Sequence, residues 1–210
     1  MSFNYCIGLK TNHYESLSQQ QFFKLVESNK EIGQCLCEYL IDVNQFVHPY
    51  FDIDIKDNSI DYNLDEAIEK IMIDFNIQDK NEIAISSDHR VNKRSWHLVC
   101  CNVKIQRKEL RKYIQKYKKE LEKLYFDPKP YANGCQKWKT LYSPKKSKEL
   151  EDQDSIGMVP IIENDNLFKH FIQIDENDVD LFSTAFENNQ ENKNEEKKEE
   201  KINSFNRVIK

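Results

Sequence analysis

The stretch that most constrains the fold of this chain is Tyr50-Phe51-Asp52-Ile53-Asp54-Ile55. Apolar side chains alternate there with acids, which is typical of a strand with one buried face. Asp52 and Asp54 must then share the opposite face. Two adjacent carboxylates repel each other unless positive charge lies between them, and Mg²⁺ and Mn²⁺ prefer carboxylate oxygens. The strand therefore predicts either a metal site or two acids that are solvated or salt-bridged to lysines.

The rest of the hydrophobic pattern mixes strands with helices. We predict strands over 3–9, 35–41, 46–55, 82–86, 95–101 and 137–142, and helices over 18–28, 64–75 and 107–124. A turn at 42–45 would join strands 35–41 and 46–55 as an antiparallel hairpin. This order favours an α+β fold, in which flanking helices cover a mixed or antiparallel sheet.

Length and cysteine usage limit the class of protein. The 210 residues suit one domain, which we place at 1–180, followed by a charged tail at 187–210 that is predicted to be disordered. No apolar run reaches the roughly 20 residues of a membrane span, and the first residues lack the features of a signal peptide. The six cysteines form no C-x-x-C pair, so we expect reduced thiols in an intracellular protein and no zinc.

Charge is distributed unevenly along the chain. Residues 90–148 contain 18 Lys and Arg against four Asp and Glu, a net charge of +14. Because the whole chain has a net charge of −5, the other residues together carry −19. Such a basic block favours a polyanionic partner. For 107–123 alone, a solvated lysine-rich helix is the favoured interpretation, but the block extends beyond that helix.

Two further motifs contain candidate site residues. In the predicted strand 95–101, Ser95 and His97 share a face, where they can donate hydrogen bonds to phosphate oxygens, and Lys93 adds charge. The alternative is an ordinary strand start with His97 as a satisfied core residue. Asp127, after the basic helix, would complete a carboxylate site for two metal ions; taken alone, it is a turn residue at a helix end.

Together these motifs resemble the archaeo-eukaryotic primase superfamily, in its primase-polymerase form from eukaryotes and large DNA viruses. The family has a hydrophobic DxD strand, an SxH strand and a later aspartate followed by Tyr, an aromatic-basic pair and Ser-x-Lys. The chain offers Tyr50-Phe51-Asp52-Ile53-Asp54, Lys93-Arg94-Ser95-Trp96-His97-Leu98-Val99, and Asp127, Tyr131, Gln136-Lys137-Trp138-Lys139 and Ser143-Pro144-Lys145. The resemblance covers roughly residues 35–175, and its specificity comes from the three motifs in combination.

The resemblance implies a primase-type catalytic domain with a role for each matching residue. Asp52, Asp54 and Asp127 match catalytic carboxylates that bind two Mg²⁺ or Mn²⁺ ions. The matching nucleotide-binding positions are Lys93, Ser95, His97, Gln136, Lys139 and Lys145. Lys139 stands where the family usually has arginine, so charge is kept and bidentate geometry is lost.

The implied activity is DNA-directed nucleotidyl transfer from nucleoside triphosphates on a single-stranded DNA template. Implied partners in trans are a helicase or other replication proteins, with no membrane. The implied location is the nucleus or a viral replication site, and the mitochondrion stays open. Two alternatives are a non-catalytic primase-like subunit that binds single-stranded nucleic acid and, ranked last, a metal-dependent nuclease.

Overall fold

A computed structural model describes residues 2–8, 13–90, 93–131, 136–144, 157–162 and 166–174, and these form an α+β fold. The predicted tail at 187–210 lies outside them. The strands are β1 Ser2–Ile7, β2 Glu15–Ser18, β3 Leu36–Leu40, β4 Phe46–Val47, β5 Tyr50–Ile55, β6 Ile83–Ser87, β7 Arg94–Cys100, β8 Ile105–Gln106, β9 Gln136–Lys139 and β10 Val159–Pro160. The helices are α1 Gln19–Ile32, α2 Leu64–Phe75, α3 Arg107–Lys116 and α4 Lys118–Lys123, with 3-10 turns at Lys80–Glu82, Lys129–Tyr131 and Leu167–His170.

The first sheet has the order β2-β1-β3-β9, and its paired strands are antiparallel. Helix α1 begins at the predicted cap, where Ser18 and Gln21 satisfy each other's backbone N–H groups in a capping box. The helix continues past the predicted end at residue 28, and Gly33 closes it in the left-handed region. Phe22 and Val26 of the helix pack in one core with Phe3 and Phe171.

The second sheet has the order β10-β6-β7-β5, again antiparallel, and contains the acidic strand. Helix α2 has the predicted bounds. Phe51 makes edge contacts with Phe75 of α2 at 5.7 Å and with Phe126 at 5.4 Å. The apolar face of β5 is therefore buried in the main core, as the alternation predicts.

The predicted hairpin between strands 35–41 and 46–55 is wrong. Both edges of β3 are occupied, by β1 and β9, and β5 pairs with β7 instead. The turn residues serve another element, because the backbone N–H of Arg107 donates to Gln45 O at 2.9 Å and that of Lys108 to Val43 O at 2.8 Å. The carbonyls expected to close a hairpin thus cap helix α3.

The predicted single helix 107–124 is divided. Tyr117, between α3 and α4, has φ −101° and ψ 16°, outside the helical region. Its ring contacts that of Tyr113 at 5.0 Å, and the Lys70 ammonium lies 4.9 Å from the ring centre. Leu121 of α4 is buried, so both short helices contribute to the main core.

No disulfide joins Cys6, Cys35, Cys37, Cys100 and Cys101 to one another, and Cys135 lies outside the described residues. Among the residues that the structure describes, no helix combines the length and apolar character needed to cross a membrane.

A buried carboxylate joins the last described segment to the first sheet. Glu38 of β3 is fully buried and accepts hydrogen bonds from the backbone N–H groups of Ile172 at 3.0 Å and Gln173 at 2.9 Å. The Gln173 side chain in turn bonds to both backbone groups of Asn4. Burial raises the pKa of Glu38 to about 7 despite these donors.

We expect Glu38 to make stability depend on pH. Between about pH 4.3, where an unfolded glutamate titrates, and about pH 7, the folded chain retains a proton that the unfolded chain releases. The free energy of unfolding of the wild type should therefore fall across this window, by roughly 3 kcal/mol relative to Glu38→Gln, and the difference should level off above it. Urea unfolding of both proteins across the window measures this, and parallel pH profiles would contradict it.

Candidate functional site

Strand pairing brings the first two motifs together. In the antiparallel register of β5 and β7, Asp52 lies opposite His97 and Asp54 opposite Ser95. All four side chains share one face of the sheet, because directly paired residues point the same way. Two motifs more than 40 residues apart in sequence thus form one surface.

The third carboxylate reaches this surface along the other edge of β5. The N–H of Asp127 donates to Asp52 O at 2.7 Å, and the N–H of Asp54 donates to Tyr125 O at 3.1 Å. Tyr125 has a left-handed φ of 61°, an uncommon conformation for a bulky residue that turns the chain from α4 onto the strand. One ligand oxygen each from Asp52, Asp54 and Asp127 then lie within 4.8 Å of one another.

Asp52 gives the clearest indication that a cation fits this site. Its Oδ1 is buried and has no hydrogen-bond partner in the described part of the chain. Burial, followed by the charge of Asp54, raises the pKa of Asp52 above its usual range. A divalent cation among the three carboxylates would satisfy this oxygen and offset the repulsion, and the all-oxygen donor set suits Mg²⁺ or Mn²⁺.

Salt bridges to lysines, the alternative interpretation, account for part of the cluster. Lys93 Nζ lies 2.6 Å from Asp54 Oδ1, and the Ser95 hydroxyl donates to the same oxygen at 2.7 Å. Asp127 accepts from the backbone N–H of Lys129 at 2.9 Å, and the Lys129 ammonium is 3.8 Å from its Oδ2. These contacts neutralise Asp54 and cap a turn at Asp127, but they leave Asp52 Oδ1 unsatisfied.

His97 lies beside the carboxylates without pairing to them. Its Nε2 is 3.8 Å from Asp52 Oδ1, beyond hydrogen-bond distance, and its ring stacks on Trp138 with centroids 4.0 Å apart. Burial, with the charges of Lys139 and Lys93, holds the pKa of His97 well below its usual range. The imidazole is therefore neutral at pH 7 and can act on an anion as a hydrogen-bond donor.

These side chains line one cavity, the acidic cleft, with a volume of about 490 Å³. The structure places in it all but one of the residues assigned from sequence: Asp52, Asp54, Lys93, Ser95, His97, Asp127, Gln136 and Lys139. Lys145 lies outside the described residues. Lys139 is held by Asp88, whose Oδ2 lies 3.5 Å from its ammonium.

Sequence reasoning missed several side chains of the cleft. Asp88 is almost fully buried and binds both Lys139 and, at 2.6 Å, Arg90. Tyr39, Arg90, Lys129, Lys137 and Trp138 also line the cleft. The third motif, which contains Lys137 and Trp138, was the signal for those two residues. For Asp88 and Arg90 the signal was the polar, basic loop after β6, and nothing local indicates that Asp88 faces β9.

No family model matches the chain, and a search of curated proteins found no match.

We expect Asp52→Asn to distinguish the destabilising effect of the buried charge from its contribution to metal binding. Without metal at pH 8, the variant should be more stable than the wild type by roughly 1–3 kcal/mol, because a repelled carboxylate becomes neutral. Saturating Mn²⁺ should stabilise the wild type by about 2–3 kcal/mol at a hundredfold excess over Kd and the variant by much less. Urea unfolding with and without Mn²⁺ measures both effects.

The matched control is Asp61→Asn, which removes an exposed aspartate that does not line the cleft. It should respond to Mn²⁺ as the wild type does. Equal responses of all three proteins, or none in the wild type at millimolar Mn²⁺, would contradict a metal site at Asp52.

Proposed function

We propose that this protein is a DNA-directed primase or polymerase that transfers nucleotides from nucleoside triphosphates to a growing strand on a single-stranded DNA template. The observation that supports this best is the convergence of Asp52, Asp54 and Asp127, with oxygens within 4.8 Å, on the sheet face that presents Ser95 and His97. A carboxylate cluster alone also suits a nuclease. Phosphate donors beside it favour a nucleotide substrate.

The remaining cleft residues fit the binding of a triphosphate. Five cations line the cleft: Arg90, Lys93, Lys129, Lys137 and Lys139. Its volume falls within the range of small-ligand pockets. Lys93 and the Ser95 hydroxyl both contact Asp54, so they lie where a metal-bound phosphate would meet them. Neutral His97 adds a donor without a charge.

In the proposed reaction the 3′-hydroxyl of the strand loses its proton to water and its oxygen bonds to the α-phosphorus. The bond from the α-phosphorus to the β-phosphate breaks, so that pyrophosphate leaves. Divalent cations held by Asp52, Asp54 and Asp127 would supply charge stabilisation and a more acidic 3′-hydroxyl. Lys93, Ser95 and His97 would orient the phosphates, and cations of α3 and α4 would follow the strand backbone.

Lys139 is the departure from the family pattern, and its surroundings define what it can do. Its ammonium is largely buried and lies 3.5 Å from Asp88, which also binds Arg90. A lysine so held acts as a fixed point charge, without the bidentate geometry of arginine. Arg90 binds the same carboxylate, that of Asp88, and its guanidinium also lines the cleft.

Incorporation of nucleotides on a primed single-stranded template in Mn²⁺ tests the proposal. Asp52→Asn with Asp54→Asn should lower the rate roughly a hundredfold or more, since each carboxylate contributes to binding of the cation and to transition-state stabilisation. Asp61→Asn should retain activity. Extension that survives the double substitution would refute the assignment.

One rival is supported by a specific contact. Because Lys93 neutralises Asp54, the cleft could serve a non-catalytic subunit that binds single-stranded nucleic acid through its cations. That protein would bind DNA in a salt-sensitive way without divalent metal and would incorporate nothing. The extension gel also detects the nuclease, which would shorten the labelled strand.

We expect Lys93→Met to separate nucleotide binding from metal binding. Loss of one charge-assisted contact should raise the KM for the nucleotide about tenfold. Affinity for Mn²⁺ should hold or increase, because Asp54 loses its competing cation. Steady-state kinetics and Mn²⁺ titration measure the two effects, and weaker Mn²⁺ binding with unchanged KM would contradict these roles.

A further inference from the structure

A second cavity, the basic cavity, lies beside the acidic cleft and has a volume of about 300 Å³. Its lining includes Arg107, Lys108, Arg111 and Lys112 of α3, together with the rings of Tyr50 and Tyr131. None of the described residues that line it is acidic. The acidic cleft, in contrast, combines its cations with four aspartates. A cavity with cations alone is suited to an anion that arrives without a metal ion.

The basic stripe is not explained by the stability of α3. Arg107 with Arg111, and Lys108 with Lys112, are like-charged neighbours at i and i+4, and each pair costs an isolated helix about 0.2–0.5 kcal/mol. The helix start needs no side chain from the stripe, because loop carbonyls accept its first two N–H groups. Within the described residues, an opposing charge contacts the stripe at its outer end, where Glu109 binds Lys112 at 2.8 Å.

The four cations differ in depth. Arg107 is buried, and its guanidinium donates to Leu40 O at 3.4 Å and contacts the Tyr50 hydroxyl. Arg111 is half-buried, and Lys108 and Lys112 are exposed. The buried guanidinium and the exposed ammonium groups thus form a charged floor with a charged rim.

Two stacked tyrosines connect the basic cavity to the acidic strand β5. The rings of Tyr50 and Tyr131 lie 5.3 Å apart, and the Tyr131 hydroxyl donates to Tyr50 O at 2.5 Å. Tyr50 precedes Asp52 by two residues on β5, so their Cα atoms are about 7 Å apart. The strand that carries Asp52 and Asp54 therefore also contributes a wall of the basic cavity.

We propose that the basic cavity binds the 5′-terminal phosphate of a nucleotide strand; this inference rests on the proposed function. A terminal phosphate carries up to two charges and can enter a small cavity while its chain leaves on one side. An internal phosphodiester carries one charge and needs room for a sugar on both sides. The free 3′ end belongs at the carboxylates, so the phosphate is that of a 5′ end.

Fluorescence anisotropy with the full chain in EDTA tests this. EDTA removes any phosphate binding that depends on a metal ion in the acidic cleft, and the cavity variants below then assign the remaining preference to the basic cavity. The wild type should bind a short 5′-phosphorylated oligonucleotide about tenfold more tightly than its 5′-hydroxyl counterpart, which corresponds to one net charge-assisted contact. Equal affinities would overturn the proposal.

The matched variants are Lys108→Gln with Lys112→Gln and, as control, Lys119→Gln with Lys123→Gln. Both pairs are exposed, lie four residues apart and remove two charges, but only the first lines the cavity. The first should abolish the preference for the 5′-phosphate. The control should weaken the binding of both oligonucleotides equally, so that the ratio of their affinities stays the same. If the affinity ratio is unchanged in Lys108→Gln with Lys112→Gln, the proposal is overturned.

Competition in EDTA identifies the source of the phosphate. Displacement of the phosphorylated oligonucleotide by a nucleoside triphosphate at similar concentration identifies an initiating nucleotide as the occupant. Displacement only by a second 5′-phosphorylated strand identifies the end of a longer strand. A wild-type protein that incorporates nucleotides but shows no preference for the 5′-phosphate rejects this inference alone. A wild-type protein that shows the preference but incorporates nothing rejects the proposed function alone.

Discussion

Repulsion among three half-buried carboxylates is the constraint on which the rest of the structure depends. Asp52 and Asp54 are fixed by the pleat of β5, and Asp127 is fixed by backbone hydrogen bonds along the same strand. None can move away without breaking sheet pairing. The folded state therefore retains this repulsion, and Asp52 Oδ1 has no hydrogen-bond partner among the described residues. Such a site is costly for stability and useful only if a positive ligand occupies it.

The fold holds the cluster in place by burying the opposite face of the same strand. Phe51, Ile53 and Ile55 are fully buried, and full burial of each such side chain contributes about 1.5–3 kcal/mol. A one-residue slip of β5 would expose all three and bury the acids. The register of the acidic face is thus set by the hydrophobic core on the other side, and β9 contacts that acidic face where Trp138 stacks on His97.

Local patterns predicted well what depends on local physics. Alternation placed Asp52 and Asp54 on one face, and apolar periodicity gave α2 its bounds. Pairing between distant strands could not be predicted in the same way. The turn after β3 has hairpin chemistry, yet its carbonyls cap α3, because β3 already has two partners. The role of Asp88 depends on its contact with Lys139 of β9, and the basic cavity depends on the stacking of Tyr131 on Tyr50. Both contacts join segments that are far apart in sequence.

The Lys93–Asp54 contact links metal and nucleotide in the proposed mechanism. A cation that takes Asp54 Oδ1 must displace the Lys93 ammonium, which lies 2.6 Å away. The freed ammonium then needs an anion, and a triphosphate supplies one. Conversely, a phosphate that attracts Lys93 leaves Asp54 available to a cation. Each ligand thus lowers the cost of binding the other, and thermodynamic linkage requires the two effects to be equal. In this arrangement Lys93 stabilises the acidic cluster before the substrates arrive and makes their binding cooperative.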